Sequence, residues 1–237
     1  MSTRSDLAGS VRALFDDKAA GWSRGYAPGG ALAARARVFS DAAERAVAPP
    51  ARALDFGCGT GHIANALAEH GYAVHACDMS EAMLEEGRRL FGARVTFSPL
   101  ASDWTALPYA TGAFDLAIAS SVLEYVPDVS HVLEELARVV RAGGAVALTV
   151  PDMRHPRRWL EQALARSLVI PGVAALAARA PRLALYIRFL ETSRNRLSER
   201  AWTARFARAG FTVRSSGPGA SPMLRLYVLA RQAAPAQ

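Results

Sequence analysis

From residue 51 onward the chain alternates short apolar runs with longer amphipathic stretches, the pattern of strands alternating with helices. Arg52–Phe56, Tyr72–Cys77, Arg94–Ser98, Phe114–Ala119 and Ala145–Val150 read as strands. Helices are predicted over His62–His70, from Ser80 to about Phe91, and from about Ser130 to Arg141. Ser80 suits an N-cap, with Glu81 in the first turn, and Gly143 and Gly144 are read as the stop of the third helix. Before residue 50 the pattern is helical: Val11, Leu14 and Phe15 share a face, a turn falls at Gly25–Gly30, and Ala31–Ala48 is rich in Ala and Arg. After Pro151 the strand rhythm breaks. Arg157, Trp159, Leu160, Leu164, Leu168 and Val169 form an amphipathic pattern, and more helix is expected across the break at Pro171–Gly172. Ser198 suits the cap of a helix presenting Trp202 and Phe206 and ending at Gly210. Phe211–Ser215 and Leu224–Ala230 read as two last strands, whose short connection makes them antiparallel.

Strands that alternate with helices make a parallel sheet covered on both faces. At 237 residues and 51% hydrophobic, the chain has enough apolar surface for a full core. Two cysteines, Cys58 and Cys77, are too few for a disulfide scaffold, and no His/Cys/Asp spacing suggests a metal site. The longest apolar region, Leu168–Ile187, is broken by Arg179, Arg182, Pro171 and Pro181, which disqualifies it as a bilayer span. With a polar start and no such span, a cytoplasmic location is expected.

The net charge is +7, carried by 27 Arg and a single lysine, Lys18, against 21 acids. It is unevenly spread: +3 over residues 1–52, −7 over 53–150 and +11 over 151–237. Codon bias accounts for Arg over Lys, but not for the scarcity of acids after residue 151.

Leu54-Asp55-Phe56-Gly57-Cys58-Gly59-Thr60-Gly61 leaves a strand and enters a helix. Glycines at such a turn let the backbone approach a ligand at the carboxyl edge of the sheet. The G-x-G-x-G spacing misses the dinucleotide fingerprint, which needs a glycine where His62 stands. An adenosyl ligand without a pyrophosphate needs instead an acid on the first strand, Asp55, and one at the end of the second, Asp78, for the ribose hydroxyls.

LDFGCGTG followed by CDMSEAML resembles the class I S-adenosylmethionine-dependent methyltransferases. So do Ser102-Asp103-Trp104 with Leu107-Pro108-Tyr109, the stretch FDLAIASSVLEYVPD, and LARVVRAGGAVALTVP, all in the family's order over about residues 50–151. The resemblance implies an α/β, Rossmann-like fold: a seven-stranded, mostly parallel sheet with helices on both faces, its last strand antiparallel, and a helical cap. It implies S-adenosyl-L-methionine as cofactor, approached by Gly57, Cys58, Gly59 and Gly61, with Asp55 beside it. Asp78 would bind the ribose, Met79 would pack on the adenine, Asp103 and Trp104 would line the adenine, and Ser120 would stand at the end of the fourth strand. It also divides the chain into an N-terminal helical segment over 1–50 that closes on the cofactor and a methyltransferase domain over 51–237, with 153–197 as a cap insert. The N-terminal stretch VRALFDDKAAGWSRGY is locally similar to magnesium-protoporphyrin and quinone-pathway methyltransferases.

A sulfonium methyl is already activated, so the protein must mainly align the acceptor and exclude water. A base is needed only where the acceptor must lose a proton. Glu124, Tyr26 and His155 are the catalytic candidates. In the porphyrin enzymes a tyrosine matching Tyr26 and a histidine near position 124 are implicated; the carboxylate of Glu124 departs from that pattern and puts the porphyrin substrate in doubt. The Arg-rich cap, with Arg154, Arg157, Arg158, Arg188, Arg194 and Arg196 among its charges, predicts a small apolar acceptor with an anionic handle, methylated on oxygen. The alternatives are a nucleic-acid methyltransferase using the basic C-terminal surface, although no nucleic acid is expected as partner, and a membrane-surface lipid or quinone-precursor methyltransferase. Peripheral contact of the basic cap with a membrane is a further expectation.

Overall fold

The computed structural model describes residues 4–101, 106–167 and 181–233. Helices α1 (Arg4–Trp22) and α2 (Ala33–Ala46) flank a 3-10 turn at Ser23–Tyr26. Then come β1 (Arg52–Phe56), α3 (His62–Glu69), β2 (Ala73–Asp78), α4 (Glu81–Phe91), β3 (Thr96–Pro99), β4 (Phe114–Ser120), α5 (Val129–Val139) and β5 (Val140–Pro151). The cap supplies α6 (Pro156–Ser167) and α7 (Pro181–Thr192), and α8 (Glu199–Arg208), β6 (Phe211–Pro218) and β7 (Leu224–Arg231) close the fold.

The seven strands form one sheet in the order β3-β2-β1-β4-β5-β7-β6. β1 through β5 pair in parallel, and β7 runs antiparallel to both β5 and β6. This is the Rossmann-like sheet with a reversed strand near its edge. The chain winds outward from β1 to β3 and then returns to place β4 on the other side of β1. The crevice at the carboxyl ends of β1 and β4 is therefore the place where such sheets bind ligands.

Strand periodicity splits the core into two layers. Leu54, Phe56 and Cys77 face one layer, with Trp202 and Phe206; Ala53, Val74, Ala76, Leu116 and Ile118 face the other, with Phe39 and Leu67. Trp202 and Phe206 stack at 6.0 Å on the inner face of α8. Caps are where local chemistry put them: Ser80 Oγ accepts from Met83 N, Ser198 Oγ from Ala201 N, and Asp128 from Ser130 N and His131 N.

The junction of α5 and β5 differs most from the expectation. α5 ends at Val139, and β5 begins at Val140, before the glycines. Val140 pairs with Phe114, after which the register shifts before Ala145 meets Leu116. Gly143, at φ 75°, and Gly144, whose added Cβ would lie 2.6 Å from the Asp115 carbonyl oxygen, make a bulge inside the strand. They are not the stop of the helix. A turn glycine has the same composition in both settings, so the sequence signal was ambiguous. The proposed helical break at Pro171–Gly172, with Leu168, Val169 and Arg179, lies outside the described residues.

Candidate active site

The glycine turn is built by backbone conformation. Gly57, Gly59 and Gly61 all have positive φ, at 70°, 54° and 75°. A Cβ at Gly57 would lie 2.5 Å from Val122 Cγ2, and one at Gly61 would lie 2.6 Å from the Phe97 ring. Gly57 N and Cys58 N donate to the Cys77 carbonyl, locking the turn to β2. Gly59 N donates to Asp78 Oδ2 at 2.8 Å, and Ser80 N donates to Asp78 Oδ1 at 2.9 Å. Asp78 is thus fixed at the end of β2, with lone pairs left for further donors.

A cavity of about 400 Å³ opens over this turn, within the roughly 300–1,000 Å³ usual for ligand sites. Asp55, Gly57, Cys58, Gly59, Asp78, Met79 and Ser120 line it. Gly61 is not on that wall: the Phe97 ring fills its side, and its role is the entry into α3. Asp103 and Trp104 lie outside the described residues. Asp55 is 1% exposed, and neither carboxylate oxygen meets a hydrogen-bond partner. Burial, and then the charge of Asp78, push its carboxyl up to about 7. Burial also raises Asp78, partly offset by the backbone donors at Ser80 and Gly59. Ser120 Oγ and Ser121 Oγ are likewise buried without a partner, and Ser121 holds a positive φ of 58°. Orphaned acceptors beside a glycine-lined wall suit a cationic adenosyl ligand rather than a pyrophosphate.

Helix α1 roofs the cavity. Val11, Phe15, Lys18 and Trp22 recur at helical spacing and all line it, a stripe that the sequence did not mark as part of a site. The Trp22 indole packs over Gly59, its Nε1 3.1 Å from where a Cβ would stand. Asp16 accepts from Ser80 Oγ at 2.5 Å, and Asp17 pairs with Arg188 at 3.0 Å, so α1 is tied to both α4 and α7. Tyr26 also lines the cavity and stacks on His62 at 4.2 Å. Burial pushes its phenol up to about 12, which suits it to donating a hydrogen bond and makes it a poor base.

The cavity wall also includes Glu124, Tyr125, Arg35, Arg158, Phe189 and Met223. Glu124 is 3% exposed; Ser193 Oγ donates to its Oε2 at 2.9 Å, and burial raises its carboxyl above the ordinary range. Arg194 N and Asn195 N donate to the Glu124 carbonyl, anchoring the cap to the end of β4. Phe15 meets Tyr125 edge-on at 5.3 Å.

The structure separates His155 from the other two catalytic candidates. It is absent from the cavity wall, and its Nδ1 accepts from Arg157 N at 3.3 Å at the start of α6. The cap arginines are also less available than their number suggested. Arg158 is buried, paired with Glu161 at 2.8 Å and donating to the Met223 carbonyl. Arg154 pairs with Asp152, Arg188 with Asp17, and Arg157 and Arg194 are exposed. The few acids after residue 151 are placed where arginines converge: Glu161 also lies 4.0 Å from Arg196, and Glu199 is 3.1 Å from Arg225.

Residues 54–148 match the family model described as a methyltransferase domain. The chain belongs to the class I S-adenosylmethionine-dependent methyltransferases, in their small-molecule branch, and its cofactor is S-adenosyl-L-methionine. A demethylmenaquinone methyltransferase of Clavibacter sepedonicus is 34% identical over 177 residues, covering 70% of this chain and 71% of the relative. A malonyl-[acyl-carrier protein] O-methyltransferase of Legionella pneumophila is 36% identical over 107 residues, 44% of this chain and 38% of the relative. In structure, a SAM-dependent methyltransferase from Methanosarcina mazei superposes with a TM-score of 0.62 at 17% identity, covering 80% of this chain and 96% of that one. Among the described residues no helix is long and apolar enough to cross a membrane.

Proposed function

We propose that the protein methylates an oxygen, hydroxyl or carboxylate, of a small apolar acceptor carrying an anionic group. The observation that carries this reading is Glu124: a buried carboxylate on the cavity wall, held through one oxygen by Ser193 and raised above the ordinary range by burial. Raised basicity suits it to accept a proton from a hydroxyl. The rings of Phe15, Tyr125 and Phe189 offer an apolar surface, and Arg35 on the same wall offers charge. The cofactor supplies an activated methyl group when bound. Asp55 and Asp78 would hold its cationic and ribose parts, with Met79 beside them, and α1 would exclude water above the glycine turn. The relative named as a malonyl-[acyl-carrier protein] O-methyltransferase favours an oxygen acceptor, and the one named for demethylmenaquinone favours an apolar small molecule.

The test is S-adenosylhomocysteine release over a panel of hydroxylated, carboxylated and amine acceptors. With a hydroxyl acceptor, kcat/KM is expected to rise with pH through the raised Glu124 titration. Glu124→Gln is expected to lower it by about 10²–10⁴-fold with cofactor affinity intact. Turnover of amines alone would refute the oxygen assignment.

A second reading, contact with an anionic lipid surface, is favoured by α6. Trp159 and Leu160 are 65% and 70% exposed, beside the exposed Arg157. Co-sedimentation with vesicles containing acidic lipid is expected to drop several-fold in the Trp159→Ala, Leu160→Ala double variant. Equal sedimentation of both proteins would discard the contact.

A further inference from the structure

Lys18 is the single lysine among 28 basic residues, and it stands on the roof of the cavity rather than on the outer surface. The two acids beside it in sequence point elsewhere: Asp16 is held by Ser80 and Asp17 by Arg188. Among the described residues no carboxylate comes within ion-pair distance of Lys18; its ammonium lies 5.4 Å over the Phe15 ring. Glu124 faces the same cavity. Of the other cations on that wall, Arg158 is engaged with Glu161 and the Met223 carbonyl, and Arg35 is the charge assigned above to the acceptor's anionic group.

We propose that Lys18 binds the acceptor oxygen, its ammonium pairing with the oxygen that takes the methyl group. This rests on the oxygen-directed reading above. With a hydroxyl acceptor, the O–H proton passes to the Glu124 carboxylate and the oxygen bonds to the methyl carbon. The carbon–sulfur bond breaks and its electron pair stays on sulfur. With a carboxylate acceptor no proton moves, and Lys18 serves the same oxygen. An arginine does not substitute: its planar fork is larger and directs its donors in a fixed plane, whereas an ammonium is a compact charge with rotatable donors. Burial of Lys18, reinforced by Arg188 and opposed by Glu124, lowers its pKa. Asp55, Asp78, Arg35, Arg158 and Glu161 complete the charged groups on the shared wall.

A single lysine makes the test direct. Lysine labelled with carbon-13 at Cε gives one side-chain signal in the full chain. That signal is expected to titrate below the ordinary lysine range and to move when S-adenosylhomocysteine is added. It should move again with the best oxygen acceptor from the panel. Lys18→Met and Lys18→Arg are both expected to lose about 10²-fold or more in kcat/KM, the size seen on removing one oxyanion donor, while calorimetry shows cofactor affinity unchanged. A signal that titrates as an ordinary lysine and ignores S-adenosylhomocysteine overturns the proposal, as does a Lys18→Arg variant of near-normal turnover. If oxygen acceptors turn over and those results appear, only the role of Lys18 fails. If only amines turn over, the reading beneath it fails as well.

Discussion

Asp55→Asn is expected to stabilise the ligand-free protein and, in the same molecule, to weaken cofactor binding. Asp55 is buried at the end of β1 with both oxygens unpartnered, and its carboxyl is pushed up to about 7 by burial and by Asp78. The folded state therefore holds this proton more tightly than the unfolded chain, whose carboxyl titrates near ~3.9. The contribution to stability is whole below that value and is lost as pH rises through about 7. By pH ~8 the ionised group costs the empty fold on the order of 4 kcal/mol, at about 1.4 kcal/mol per pKa unit. Asparagine removes that charge. The variant's melting temperature should exceed wild type at pH ~8, and the gap should shrink as pH falls and close only below about pH 4, under the unfolded carboxyl's value. Cofactor affinity should behave oppositely. In wild type it should strengthen with pH through about 7, as the ionised carboxylate meets the cationic ligand. In Asp55→Asn it should be nearly flat and about 10²-fold weaker at high pH, the loss expected for one buried charge-assisted contact. Thermal scans and calorimetry at two pH values decide it. Equal melting temperatures with pH-independent wild-type affinity would remove Asp55 from the cofactor site.

The cofactor half was legible because its determinants are local. A strand ending in alternating glycines, an acid at the end of the next strand and Ser80 as a cap are all set by neighbours in sequence, and Gly57, Gly59 and Asp78 come together on one cavity wall, while Gly61 serves the entry into α3. The acceptor half was less legible because its determinants are pairings between distant segments. The excess of Arg after residue 151 looked like a free positive surface, yet Arg188 is matched by Asp17 of α1, and Arg158 spends its donors on Glu161 and Met223. His155 lies one turn from a strand end, as a catalytic histidine would, but it is consumed in starting α6. The stripe of Val11, Phe15, Lys18 and Trp22 was readable as a helix face, while nothing in its spacing says that this face covers a ligand rather than core. That distinction comes from how α1 is tied across the sheet edge to Ser80 and Arg188.

Gly57→Ala is expected to be strongly damaging, and its cost divides into two measurable parts. The first is conformational: Gly57 holds φ 70°, a left-handed backbone that costs an ordinary residue about 1–2 kcal/mol. The second is steric: the new Cβ would lie 2.5 Å from Val122 Cγ2, and overpacking of this kind costs about 1–3 kcal/mol. Val122 lies in the loop that follows Ser120 and Ser121, so the strain also spreads along the cavity wall. Stability should fall by about 2–5 kcal/mol and cofactor affinity by about 10²-fold. Gly210→Ala is the control: φ is 81° there, but nothing lies within 4 Å of the added Cβ. It should lose only the conformational part and bind cofactor normally. Adding Val122→Ala to Gly57→Ala should relieve the steric part, so the double variant should lose less stability than the two single losses together. Additive losses in denaturant melts would show that Val122 does not press on the turn, leaving the backbone as the whole reason for glycine at position 57.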